Sequence, residues 1–97
     1  MPHYVVLGNW TEQGIRTVKD VPKRVEASRA LIKKNGGELH TVFVTMGKYD
    51  WVAIMEAPND DAVMQIMLTL GAQGNTRTTT MKAWTPQDAG KVLAKIP

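Results

Sequence analysis

"ELHTVFVTMGKYDWVAIMEA", residues 38–57, decides the predicted fold, because it holds two apolar segments rich in β-branched residues on either side of a short turn sequence. Residues 38–46 and 51–57 have strand character, and Gly47, Lys48, Tyr49 and Asp50 lie between them. Glycine can adopt a positive φ in a turn, and an aspartate at the end of a turn can accept backbone N–H groups. The stretch therefore predicts an antiparallel hairpin in the middle of the chain.

The sequence on either side of this hairpin predicts two more strands and three helices. Residues 3–10 and 76–84 have strand composition, and residues 11–35 have helical character with an interruption near Pro22. Asn59 and Thr85 are predicted N-caps of two further helices. The order predicts an α+β domain over residues 1–97: a ferredoxin-like βαββαβ unit with a four-stranded antiparallel sheet and an added C-terminal helix.

Length and composition exclude several classes of function. A chain of 97 residues is expected to form one core. The N-terminus has neither a basic segment nor a long apolar stretch, and no apolar run approaches the ~18 residues of a bilayer span, so we expect a cytoplasmic protein without a membrane partner. The absence of cysteine excludes disulfides and thiolate chemistry. The net charge of +3 and the lack of exposed aromatic patterning predict no nucleic-acid partner.

One local charge imbalance stands out between residues 16 and 34. This segment holds seven basic residues against two acidic ones. A solvated helix face is the usual explanation for such a pattern. An anionic ligand or partner is the alternative.

The predicted strands carry apolar residues on both faces. Strict alternation sets Leu39 and Phe43 against Val42 and Val44, and helices are available for only one face of the sheet. A bare second face of roughly 400 Å² would cost on the order of 10 kcal/mol. We therefore expect a second copy of the chain to cover it, which gives a dimeric α+β barrel, as a homodimer or higher homo-oligomer.

Six stretches of the sequence, in order, resemble the GYD-domain family, which is named for a Gly-x-Tyr-Asp signature. They are "YVVLGNWTEQGI" (4–15), "VKDVPKR" (18–24), "NGGEL" (35–39), "TMGKYDWV" (45–52), "EAPND" (56–60) and "GNTRTTT" (74–80). The resemblance implies a dimeric α+β barrel fold and self-association. It assigns no catalytic residue.

Five residues are candidates for a ligand site. Tyr49 beside Asp50 offers a phenol and a carboxylate that could bind a polar ligand or move a proton, although the turn alone accounts for the aspartate. Asn9 and Trp10 end the first strand, where capping and packing are the alternative explanation. Arg77 lies in the last strand, where an ion pair with Asp50 or Glu56 is the favoured explanation, and an edge position or an anion site are the alternatives.

No metal or cofactor is predicted from the sequence. His3 and His40 are far apart and show no metal-ligand spacing. The glycine pair Gly36-Gly37 follows a helix instead of preceding one, unlike a phosphate-binding loop. Two functions remain: an oligomeric module that binds a small anionic or aromatic molecule or regulates a partner, and a small cofactor-independent isomerase, lyase or oxygenase that uses Tyr49 or Asp50 for proton transfer.

Overall fold

Four antiparallel strands form one sheet in the order β2-β3-β1-β4. The computed structural model describes all of residues 1–97. The elements are β1 (His3–Trp10), α1 (Glu12–Arg16), α2 (Val21–Lys34), β2 (Glu38–Val44), β3 (Trp51–Glu56), α3 (Asp60–Ala72), β4 (Thr76–Ala83) and α4 (Pro86–Leu93), with a 3-10 turn (Val18–Asp20) between α1 and α2. The predicted α+β ferredoxin-like fold with an added C-terminal helix is confirmed.

Local sequence signals set the helix boundaries. Thr11, Asn59 and Thr85 cap α1, α3 and α4, and each side-chain oxygen accepts the backbone N–H of the third residue after it. The predicted interruption is present, although it begins at Thr17 and ends where Pro22 lies in the first turn of α2.

The central hairpin forms as predicted, and its turn matches the structural interpretation of the Gly-x-Tyr-Asp signature. β2 and β3 pair in antiparallel orientation, and Gly47 has a φ of 104°, a conformation that glycine adopts without strain. The backbone N–H of Asp50 donates to the carbonyl of Gly8 on β1 at 2.8 Å. The turn is thereby tied to the neighbouring strand.

A β-bulge changes the alternation of side chains along β2. Leu39 pairs with Met55 and Thr41 pairs with Ile54, so His40 is an extra residue without a partner on β3. Leu39 therefore shares a face with Val42, and Phe43 lies on the other face. The predicted grouping of Leu39 with Phe43 was wrong because it assumed uninterrupted alternation.

The core lies between one face of the sheet and helices α2 and α3. Its buried residues are Tyr4, Val6, Ile32, Leu39, Ala53, Met55, Ala57, Val63 and Ile66. We call the opposite surface of the sheet the free face, and the strand pairing assigns it Val5, Leu7, Phe43, Val52, Ile54 and Met81. Phe43 is 63% exposed there. The free face thus holds a group of apolar side chains that is uncovered within one chain.

None of the helices combines the length and the apolar character needed to cross a bilayer.

Candidate functional site

A cavity of about 90 Å³ lies between the sheet and helices α2 and α3. Thirteen of its 18 lining residues are hydrophobic. Its polar lining residues are Arg24, Ser28, Gln73, Asn75 and Thr76. Val44, the last residue of β2, also lines the cavity and is exposed, so the cavity reaches the surface at the end of the sheet where β2 stops. An apolar lining with a few polar groups is typical of small-molecule sites, whereas drug-sized ligands occupy larger pockets of about 300–1,000 Å³.

The indole of Trp51 forms one wall of this cavity and is held in place by its neighbours. Gly8 lies directly against the ring, since a Cβ there would sit 1.9 Å from the Trp51 Cε2 atom. Trp51 Nε1 donates to the hydroxyl of Thr76 at 3.1 Å, and that hydroxyl donates to the carbonyl of Asn9 at 3.1 Å. The wall therefore depends on a glycine in β1 and on a hydroxyl in β4.

Arg24 of α2 brings a positive charge to the cavity. Its Nη2 donates to the carbonyl of Gly14 at 3.1 Å and to the carbonyl and hydroxyl of Thr17 at 2.5 and 2.7 Å. Its Nη1 is buried and has no hydrogen-bond partner, and no carboxylate of the chain forms an ion pair with the guanidinium. A buried donor without a partner is rare in folded proteins because it loses hydration without compensation.

The five predicted ligand-site residues do not gather at this cavity. Trp10 lines it. Asn9 and Arg77 are paired across β1 and β4, and the register assigns both to the free face. Arg77 is exposed and forms no ion pair, so the favoured explanation of an ion pair was wrong.

Tyr49 and Asp50 lie in the hairpin turn and do not line the cavity. The Asp50 carboxylate accepts the backbone N–H of Trp10 at 2.8 Å through Oδ2. This bond fixes the end of β1 just before α1 begins. Tyr49 is half-buried, and the Lys48 ammonium lies 5.8 Å from the centre of its ring, within cation–π range. A ligand role for this pair stays a prediction.

A second group of titratable side chains connects α3 to the sheet. The Tyr4 phenol donates to Asp60 Oδ1, and the Lys82 ammonium lies 3.3 Å from the same oxygen. Burial, followed by this bond to Asp60, raises the pKa of Tyr4 to about 12. The hydrogen bonds from Tyr4 and then Lys82 lower the pKa of Asp60. These contacts stabilise the first turn of α3 on β1 and β4.

The two histidines, which are 37 positions apart in the sequence, meet on the free face. His3 of β1 and His40 of the bulge stack with ring centres 5.9 Å apart, and both contact the carboxylate of Glu56. The hydrogen bond from His40 holds the pKa of Glu56 below its ordinary value. Strand pairing and the bulge join these residues although they are far apart in the chain, and the absence of a metal site stays a prediction.

Two residues at the cavity, Arg24 and Trp51, were not among the site residues predicted from the sequence. Arg24 was visible only as one of seven basic residues in a charged segment, and Trp51 only as the first residue of a strand. Their positions at the cavity depend on contacts with Gly14 and Gly8, which no local pattern reports.

The fold and the cavity define a ferredoxin-like α+β domain with a small, mostly apolar internal chamber. The sequence pattern of the GYD domain matches residues 4–93. The chain belongs to the GYD domain family.

Proteins with a similar sequence or a similar fold are known. A Thermus thermophilus protein named glutamine synthetase and cystathionine beta-lyase binding protein is 31% identical over 84 residues, which span 86% of this chain and 88% of that protein. The crystal structure of MtbAldR superposes on 87% of this chain with a TM-score of 0.69 and 10% identity, and the chain spans 52% of it. FFRP-DM1 superposes on 87% of this chain and over its own full length, with a TM-score of 0.62 and 17% identity. These two structural likenesses show the fold.

Proposed function

We propose that this protein is a regulatory binding module that accepts a small molecule with an apolar body and an anionic group in the cavity beside Arg24. The unpartnered, buried Nη1 of Arg24, a residue that lines this mostly apolar chamber, carries the proposal. A carboxylate is the group that fits it best, because guanidinium and carboxylate match in charge and in planar geometry.

The anionic character of the ligand follows from the charge of the site. Arg24 has no acidic partner within the chain, so its half-buried guanidinium is bound only by neutral oxygens of Gly14 and Thr17. A ligand carboxylate would supply both the missing charge and an acceptor for Nη1. The apolar lining, which includes Val6, Ile32 and Met55, suits a hydrocarbon or aromatic body.

A protein partner is the second part of the proposal. The Thermus thermophilus relative is named for binding two enzymes, and we propose that this chain likewise contacts an enzyme and regulates it. Met64 and Leu68 of α3 are exposed one helical turn apart on the surface away from the core, which offers an apolar strip for such a contact. A role beside metabolic enzymes agrees with the cytoplasmic location predicted from the sequence.

We also propose that the working form is a homo-oligomer. The free face exposes Phe43, Ile54 and Met81, and a second copy packed across a two-fold axis would bury them. The proposal of a proton-transfer enzyme has less support, because Tyr49 and Asp50 lie outside the cavity and the aspartate oxygen Oδ2 is engaged by a backbone N–H.

Paired neutral and charged probes test the ligand proposal. Hexanoate and benzoate are expected to raise the melting temperature of the purified protein more than hexanamide and benzamide, since only the carboxylates can pair with Arg24. Binding of a ligand at 100 times its Kd stabilises a protein by about 2.7 kcal/mol. Native mass spectrometry of protein purified from its own host would report a retained ligand and the oligomer size together.

Three variants locate the binding. Arg24→Gln should abolish the preference for carboxylates, while Arg24→Lys should keep part of it because the charge remains. Arg16→Gln is the matched control, since Arg16 is an exposed arginine of α1 that pairs with Glu12. An equal response to acids and amides in the unmodified protein, or a carboxylate preference that survives in Arg24→Gln, would refute the proposal.

A further inference from the structure

Two imidazoles and one carboxylate converge at one end of the free face. His3 Nε2 lies 3.6 Å from Glu56 Oε1, and His40 Nε2 lies 2.7 Å from Glu56 Oε2. The ligand atoms of the three residues all lie within 4.8 Å of one another. We propose that His3, His40 and Glu56 form a binding site for a divalent transition-metal ion, with zinc as the ion that fits best.

The spacing of these atoms is close to what such an ion requires. Zinc binds imidazole nitrogen and carboxylate oxygen at 2.0–2.2 Å, so tetrahedral ligand atoms stand about 3.4 Å from one another. The two nitrogen–oxygen distances, 3.6 and 2.7 Å, lie on either side of this value. The three side chains are 21–37% exposed, which leaves them room to rotate toward the tetrahedral spacing. An ion would replace the hydrogen bond between His40 and Glu56.

Two independent features of the backbone bring the ligands together. The pairing of β1 with β3 sets His3 directly opposite Glu56. The bulge in β2 inserts His40 as an unpaired residue between Leu39 and Thr41, beside the same carboxylate. Bulges commonly redirect a side chain in this way. An ion pair between Glu56 and one histidine would need either the strand pairing or the bulge, whereas the cluster of three side chains needs both.

The donor set determines which ions the site accepts. Two imidazoles and a carboxylate suit Zn²⁺, Ni²⁺ and Cu²⁺, whereas Mg²⁺ and Ca²⁺ prefer oxygen ligands. A set of two histidines and one glutamate leaves a fourth position of a zinc ion open to water or to a group from another molecule. The site lies on the opposite side of the sheet from the Arg24 cavity, so the two can be tested separately.

Metal titration of untagged, chelator-treated protein tests this inference, because a histidine tag would bind the same ions. With zinc chloride we expect one ion per chain by calorimetry and no binding of magnesium chloride. His40→Ala and Glu56→Gln should each weaken zinc binding about tenfold or more, and Glu26→Gln on α2 should leave it unchanged.

Imidazole NMR supplies a readout that does not depend on variants. The chain has two histidines, so its spectrum holds two sets of imidazole signals, and one equivalent of zinc should shift both. Three results would overturn the proposal. The first is a zinc-induced shift of only one set of imidazole signals, and the second is equal zinc binding by His40→Ala and the unmodified protein. The third is no binding at a zinc concentration of about 100 µM, which would mean an affinity on the order of that of a weak surface site.

Discussion

Replacement of Gly14 by alanine should destabilise the protein, although alanine is the better helix former. Gly14 lies in α1, where helix propensity alone would favour alanine by about 1 kcal/mol. A Cβ at this position would sit 1.9 Å from the backbone oxygen of Asn75 and 2.8 Å from its carbonyl carbon. Backbone atoms of Asn75 cannot rotate away, so α1 and the loop before β4 would have to separate.

The expected loss follows from the contacts that this separation breaks. Overpacking costs about 1–3 kcal/mol, and the hydrogen bond from Thr11 N–H to Asn75 O, 3.1 Å long, contributes about 1 kcal/mol. After subtraction of the propensity gain, we expect a net loss of about 2 kcal/mol, which lowers the melting temperature of a domain of this size by about 8–16 °C. Because the carbonyl of Gly14 also accepts from Arg24, the cavity should be altered as well.

Thermal unfolding followed by circular dichroism measures this effect, and Gly71→Ala is the control. Gly71 lies in α3, and a Cβ there would meet nothing within 4 Å, so this variant should melt at the same temperature or slightly higher. If Gly14→Ala melts at the same temperature as the unmodified protein while Gly71→Ala behaves as expected, then α1 does not pack closely against the backbone of Asn75.

Three further predictions concern assembly, titration and capping. Phe43→Lys should give a monomer of 10.7 kDa by light scattering at micromolar concentration. Met64→Lys, at a residue on α3 that is exposed to the same extent, should keep the oligomer. An oligomeric Phe43→Lys protein would count against assembly through the free face. In Tyr49→Phe the remaining tyrosine is Tyr4, whose burial and hydrogen bond raise its pKa to about 12. Tyrosinate absorbance should therefore appear near pH 12 in the folded chain and not near the ordinary pKa of 10.0. The stability that this phenol contributes is complete below pH 10 and is lost as the pH rises toward 12, because the unfolded chain releases the proton first. Asn59→Ala removes the cap of α3 and should cost about 1 kcal/mol, seen as a melting temperature lower by about 4–8 °C; an unchanged value would mean that the cap contributes nothing.

Features of the fold that depend on neighbouring residues in the chain were predictable from the sequence. The caps at Thr11, Asn59 and Thr85 and the positive φ of Gly47 each follow from a few adjacent residues, and each is present. The bulge at His40 was not predictable, because an extra residue becomes visible only when β2 is aligned with β3. The faces of Leu39 and Phe43 were misassigned for the same reason.

The candidate site was less accessible to sequence reasoning than the fold. Trp10 was placed correctly at the end of β1, where the cavity lies, because strand ends position side chains near helix starts. Arg24 and Trp51 owe their roles to close contacts with two glycines, Gly14 and Gly8, that are distant from them in the chain. Such contacts require the tertiary structure.

The bulge in β2 has a consequence for how molecules of this protein can add to one another. β2 and β4 are the two edges of the sheet, and an endless row of sheets would need both edges to accept a strand. At His40 the regular spacing of the outward N–H and C=O groups is interrupted, which makes β2 a poor template. If β4 of one molecule pairs with β4 of another, neither molecule has a regular unpaired edge strand left, so assembly ends at two molecules. The bulge therefore opposes fibrous growth through the sheet edges, even though β4 has eight residues along its open side.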